Sequence, residues 1–152
     1  MARFYDLDEA NAAIPEIRGI LEALRDQRAE LIRLRDEVLE RTGSIEGGGE
    51  SGPSRGSDEE AQATDASTAT DPDLRILRLR MQGVIDRMQA GVVRIDELGI
   101  TLREIETGLI DFPALASGRQ IWLCWRLGEG DVAWWHELSD GFAGRRELAE
   151  LT

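Results

Sequence analysis

Four side chains in the last third of the chain could hold a metal ion or move a proton: Asp111, Glu129, His136 and Glu137. His136 is the chain's one histidine and Cys124 its one cysteine. One imidazole among carboxylates suits a hard or borderline divalent ion better than a closed structural zinc site, which recruits several cysteines or histidines. The competing reading is a structural histidine hydrogen-bonded to Asp111 or to a carbonyl. All four tryptophans, Trp122, Trp125, Trp134 and Trp135, fall with Cys124 inside the stretch that ends at His136. They could wall a pocket for a flat or cationic ligand, or pack a core or a dimer interface. Arg145 and Arg146, after Gly141-Phe142-Ala143-Gly144, could surround an anion, although no strand-to-helix context makes this a phosphate loop. No catalytic residue follows from these spacings.

The elements that must position these groups read as strands. Leu109–Phe112, Gln120–Arg126 and Val132–His136 are rich in aromatic and β-branched residues, and turns at 114–118 and Gly128-Glu129-Gly130-Asp131 separate them. A three-stranded antiparallel meander is expected, pairing Asp111 with Ile121 and Leu123 with His136. That register places Asp111, Ile121, Leu123, Trp125, Trp134 and His136 on one face. It leaves Cys124 on the other, away from the only imidazole, so an inert buried thiol is expected rather than a nucleophile. Ile100–Gly108 reads as a short strand and turn, and Arg146–Leu151 as a last helical turn.

Upstream, Asp6-Leu7-Asp8-Glu9 has the form of a capping box. Pro15 cannot donate a backbone hydrogen bond, so the reading is a short turn over Leu7–Ala13 and a helix over about 15–41. Ile17, Ile20, Leu21, Leu24, Leu31, Leu34 and Val38 make its apolar stripe. A second stripe, Leu74, Leu77, Met81, Val84, Ile85, Met88, Val92, Ile95 and Leu98, predicts a helix over about 74–98, capped by Asp73. Two helices of similar length suggest an antiparallel, coiled-coil-like hairpin. Between them, 43–73 holds eight carboxylates against Arg55 and almost nothing to bury, which predicts a disordered acidic insertion.

The 152 residues fit one domain, 1–152, ending in a β-meander and C-terminal loop over 109–152. The formal charge of −12 argues against nucleic acid. Removing the insertion's −7 leaves −5 for the rest, and every basic residue is arginine. No apolar run approaches the roughly 18–20 residues of a membrane span, and no apolar stretch follows a basic start, so no membrane partner and a cytoplasmic location are expected. A lone cysteine fits a reducing compartment.

Phe112-Pro113-Ala114, Gly118-Arg119, Leu123-Cys124-Trp125-Arg126-Leu127-Gly128-Glu129, Trp135-His136-Glu137 and Gly141-Phe142-Ala143-Gly144-Arg145 form a connected block. With Leu7-Asp8-Glu9-Ala10-Asn11 and Pro15-Glu16, it resembles the signature of an uncharacterised prokaryotic family, domain of unknown function 2203. Arg146-Glu147 stands where that family usually has Gln-Pro. The resemblance implies no activity.

The expected fold is therefore α+β: a long antiparallel helical hairpin packed with a small three-stranded antiparallel meander. Two functional classes fit it. The first is a non-enzymatic homodimeric assembly module, with the helical stripes as interface. The alternative is a metal- or ligand-binding protein, with enzymatic activity open, centred on Asp111, His136 and Glu137, walled by the tryptophans and using a divalent ion as cofactor.

Overall fold

A computed structural model describes residues 3–46 and 71–151. The expected insertion therefore lies outside the described residues, except at its ends, and both ends are helical. Helix α1 spans Leu7–Glu46 and helix α2 spans Pro72–Glu97. Five strands follow: β1 Thr101–Glu104, β2 Leu109–Ala116, β3 Arg119–Arg126, β4 Trp134–His136 and β5 Arg146–Glu147. They form one antiparallel sheet in the order β1-β2-β3-β4-β5. The class is α+β, with five strands where three were expected. β1 falls in the stretch read as a short strand and turn but joins the sheet beyond the expected meander, with a register shift between Leu102 and Glu104, and β5, only two residues long, stands where a helical turn was expected.

The chain divides into two compact units, Met1–Arg28 with Met88–Thr152, and Ala29–Arg87. In the first, α1 starts at Leu7 rather than Pro15, because Asp6 caps it: Asp6 Oδ1 accepts the Glu9 N–H at 2.7 Å. Pro15 lies inside this helix. An internal proline costs about 3 kcal/mol. Burial of Ile14, Ile17, Leu21 and Leu24, at about 1.5–3 kcal/mol each, outweighs it. Nearby, Gly91 lies against Leu24, and Arg94 pairs with Glu16 at 2.7 Å. α2 ends at Gly99, whose φ of 74° only glycine adopts readily, and the Ile100 N–H closes the turn onto the Ile95 carbonyl at 3.2 Å.

In this unit the sheet presents Ile110, Phe112, Ala114, Ile121, Leu123, Trp125 and Trp135 to the same core as Ala10, Ile14, Ile17 and Leu21. Tyr5 fastens the chain before α1 to this core. Its ring meets Phe112 edge-on at 5.1 Å, its hydroxyl donates to the Leu98 carbonyl, and its N–H donates to the Pro113 carbonyl at 2.7 Å. That last bond explains how a proline sits inside β2. Pro113 lies beyond the end of the β1 ladder and turns its carbonyl away from β3, so its missing N–H breaks no β2–β3 hydrogen bond.

The second unit contains the later part of α1 and the first part of α2. Asp71, rather than Asp73, caps α2, accepting the Asp73 N–H at 3.0 Å, and Pro72 takes the first helical position. Leu34, Leu74, Leu77 and Val84 are buried here, and Arg41 reaches Asp73 at 3.4 Å.

Candidate functional site

β2 and β3 are joined by a two-residue turn, Ser117-Gly118, with φ of 52° and 78°. These values are those of the mirror-image turns that suit a tight hairpin. The turn replaces the longer 114–118 loop expected from the sequence, and it moves the register. Asp111 pairs with Cys124 rather than Ile121, and His136 pairs with Trp122 rather than Leu123. Paired residues share a face, so Asp111, Cys124, Trp134, Trp122 and His136 lie together. Ile121, Leu123 and Trp125, expected beside Asp111, point instead into the helix-facing core.

Asp111 and His136 therefore meet across β3, over the small Cys124. His136 Nε2 is 3.0 Å from both Asp111 carboxylate oxygens, and each residue is only 2% exposed. His136 Nδ1 lies 2.9 Å from the Glu137 carbonyl. A carbonyl can only accept, so Nδ1 carries a hydrogen and Nε2 is the nitrogen turned toward the carboxylate. Arg103 Nε donates to Asp111 Oδ2 at 2.8 Å while its guanidinium lies over Trp122 at 4.9 Å. The Cys124 thiol is pushed up to about 12 by burial first and by the Asp111 charge second, with Arg145 acting the other way. It is no nucleophile in this state. One potential ligand atom from each of Asp111, Cys124 and His136 falls within 4.8 Å of the others.

This cluster floors a cavity of about 230 Å³. Leu109 and Arg103 line one part of it, and Leu138, Asp140, Gly141 and Phe142, on the segment after β4, line another. A larger hollow of about 360 Å³ along Val92, Val93 and Ile100 converges no charged groups beyond Asp96, so size alone does not mark the site.

The remaining expected site residues are placed elsewhere. Glu137 is engaged by Arg119 at 2.5 and 3.3 Å, an ion pair that holds its carboxyl below the usual range. Glu129 accepts from the Arg126 N–H at 2.7 Å and from Arg145 at 2.6 Å. Neither belongs to the Asp111–Cys124–His136 group. No tryptophan lines the cavity. Trp125 and Trp135 are core residues whose indole N–H groups donate to the carbonyls of Gly130 and Glu147 at 2.8 and 3.2 Å. The ring faces that could have received a cationic ligand carry the chain's own arginines: Arg18 on Trp125, Arg145 on Trp134, and Arg119 and Arg146 on Trp135. Arg145 is clamped between Glu129, the Cys124 carbonyl and the Phe142 ring, and its buried Nε has no acceptor among the described residues.

Sequence reasoning set Cys124 aside and did not single out Arg103 or Asp140. The first could have been found: Ser117-Gly118 is a hairpin dipeptide, and a two-residue turn there puts Asp111 opposite Cys124. Arg103 and Asp140 are brought in by β1 and by the loop after β4, and neither carries a local pattern.

No curated protein and no solved structure matches the chain. A family model described as "Uncharacterized conserved protein (DUF2203)" matches residues 3–148, nearly the whole length, and the block around Asp111, Cys124 and His136 lies inside that match. The chain belongs to the DUF2203 family.

Proposed function

We propose that Asp111, Cys124 and His136 form a divalent-metal centre open to the adjoining cavity, and that the protein is a small metal-dependent ligand-binding protein. The observation that carries this reading is the convergence of three buried donor groups, from three strands or strand ends, within 4.8 Å. Two others support it. With Nδ1–H donating to the Glu137 carbonyl, a neutral ring keeps its lone pair on Nε2, the usual arrangement around a ligating histidine. Arg145 has a buried Nε without an acceptor and its guanidinium lies against Cys124, so a metal-bound thiolate would give it one. An oxygen, nitrogen and sulfur set suits zinc or another borderline ion, and three protein ligands leave a position for water or a ligand. Of the residues expected from the sequence, this reading keeps Asp111 and His136 and replaces Glu129 and Glu137 with Cys124.

The test is elemental analysis of untagged protein purified without chelator, together with thermal melts in Zn²⁺, Mn²⁺, Fe²⁺ and Mg²⁺. One ion per chain is expected in the wild type and none in Cys124→Ala or His136→Asn. A melting temperature indifferent to all four ions, with no copurifying metal, would remove the reading.

A second reading concerns self-association and has its own observation. In the unit Ala29–Arg87, Leu39, Ile76 and Leu79 are 56%, 49% and 66% exposed, an unusual loss of apolar contact for a pair of helices. The outer charges of the two helical stretches differ in sign. Residues 29–43 carry Glu30, Asp36, Glu37 and Glu40 against three arginines, and residues 72–87 carry four arginines against Asp73 and Asp86. A second copy, its acidic stretch against this chain's basic one, would cover these side chains in a homodimer. Light scattering should return twice the chain's mass, and Leu79→Glu should halve it. A wild-type monomer at tens of micromolar would end this reading.

A further inference from the structure

The cavity lining holds Arg103 and two carboxylates, of which Arg103 pairs with the buried Asp111 and not with Asp140. Arg103 spends only its Nε, on Asp111; among the described residues its two terminal nitrogens make no hydrogen bond. Its side chain is 42% exposed, against 3% for that of Asp111, so the inner edge of the guanidinium is committed and the outer edge is available. The guanidinium also lies over the Trp122 ring, a cation–π contact that restrains it. Asp140 is half-buried in the same lining, and its carboxylate accepts no hydrogen bond among the described residues. The outer edge of Arg103 and the Asp140 carboxylate thus share one small cavity, and no ion pair joins them. Leu138 and Phe142 add apolar side chains to the same lining.

We infer that this cavity binds a small zwitterion, a free amino acid, with its carboxylate on the outer edge of Arg103, its ammonium on Asp140 and its side chain against Leu138 and Phe142. A simple anion on the outer edge of Arg103 would meet Asp140, and a simple cation on Asp140 would leave that edge without a partner, so each singly charged class satisfies one end where the zwitterion satisfies both. The volume of about 230 Å³ limits the ligand to a small one, below the roughly 300–1,000 Å³ typical of drug-sized ligands. This inference rests on the metal reading for what the ligand faces, the Asp111–Cys124–His136 centre, but not for the two charges that select it.

The experiment titrates glycine, L-alanine and L-leucine, with acetate and methylamine as one-ended analogues, into the full chain, both zinc-loaded and chelator-treated, following heat and intrinsic tryptophan fluorescence. The amino acids should bind at least about tenfold more tightly than either analogue, since each analogue forfeits one charge-assisted contact. Asp140→Asn should remove that preference over acetate, and Arg103→Met should remove the preference over methylamine, with Arg103→Lys recovering part of it. The Asp140 side chain makes no hydrogen bond or ion pair among the described residues, so its variant stays informative even if Arg103→Met unfolds. Amino acids that bind no better than acetate or methylamine would overturn the inference, as would an affinity unchanged by Asp140→Asn. Amino-acid binding with no metal uptake would remove the metal reading alone, and metal uptake without amino-acid preference would remove this inference alone.

Discussion

The two faces of the sheet are built from alternate residues of the same strands, yet they are different kinds of surface. On β2, Ile110, Phe112 and Ala114 go to the helices while Asp111 goes to the other side; on β3, Ile121, Leu123 and Trp125 go one way and Trp122 and Cys124 the other. The helix-facing side is held by area, and many side chains share the task. The opposite side is held by a few directed contacts around Asp111, which accepts from Arg103 and lies 3.0 Å from His136 Nε2. Area tolerates exchange of one hydrophobe for another of similar size, whereas a buried charge tolerates no loss of a partner. Stability and binding should therefore separate by face.

Trp125→Ala should give the largest effect, a loss of about 3–5 kcal/mol in chemical denaturation, because it empties a fully buried position. If the faces are separate, the variant that remains folded in mild conditions should still take up one zinc ion. Asp111→Asn should cost less, about 1.5–3 kcal/mol, through weakened charge-assisted bonds to His136 and Arg103. It should also abolish the zinc-induced rise in melting temperature, which in the wild type corresponds to about 2.7 kcal/mol at a hundredfold excess over Kd. Cys124→Ala sharpens the contrast further. It should lower stability by only about 1 kcal/mol, roughly one buried methylene's worth, while removing zinc binding as completely as Asp111→Asn does. A zinc response that survives in Cys124→Ala would put the metal on other ligands.

Tyr5→Phe tests the other side at its margin and should cost about 1 kcal/mol, the net value of one hydrogen bond to the Leu98 carbonyl, with no effect on zinc. Burial raises the Tyr5 phenol above its ordinary value, with Arg3 partly opposing it. A raised folded value means that the neutral phenol is favoured: its contribution is present at all pH below about 10 and fades as pH climbs through the raised value. Urea midpoints of wild type and Tyr5→Phe should therefore keep a constant gap from pH 6 to 9 and converge only in alkali. A gap that closes near neutrality would contradict this assignment.

The helices and the three central strands were legible because periodicity and cap chemistry are local. Asp6 and Glu9 announce the start of α1, and the stripe from Ile17 to Leu24 announces its buried side. The reading failed where a distant contact decided the outcome. Pro15 is carried by core burial around it, and Pro113 is accommodated by an N–H from Tyr5. The proximity of Asp111 and His136 was anticipated through a wrong register, in which the β2–β3 pairing was displaced by three residues and the β3–β4 pairing by one. Both residues still fell on one face, with Trp134, but the β3 neighbours assigned to them, Ile121, Leu123 and Trp125, belonged to the other. Cys124 was lost to that error, and Arg103 and Asp140 could not be seen at all, since only the folded sheet gathers them.

The Ser117-Gly118 turn makes chain length at that point equivalent to chemical identity. One inserted residue that shifted β3 by a single step would set Leu123 or Trp125 opposite Asp111 in place of Cys124, and would turn an aromatic or aliphatic side chain onto a buried carboxylate. Substitutions along β2 and β3 can be graded, but a length change here is all-or-none. Among descendants of this sequence that keep the Asp111–Cys124–His136 cluster, the hairpin should vary in letters and never in count.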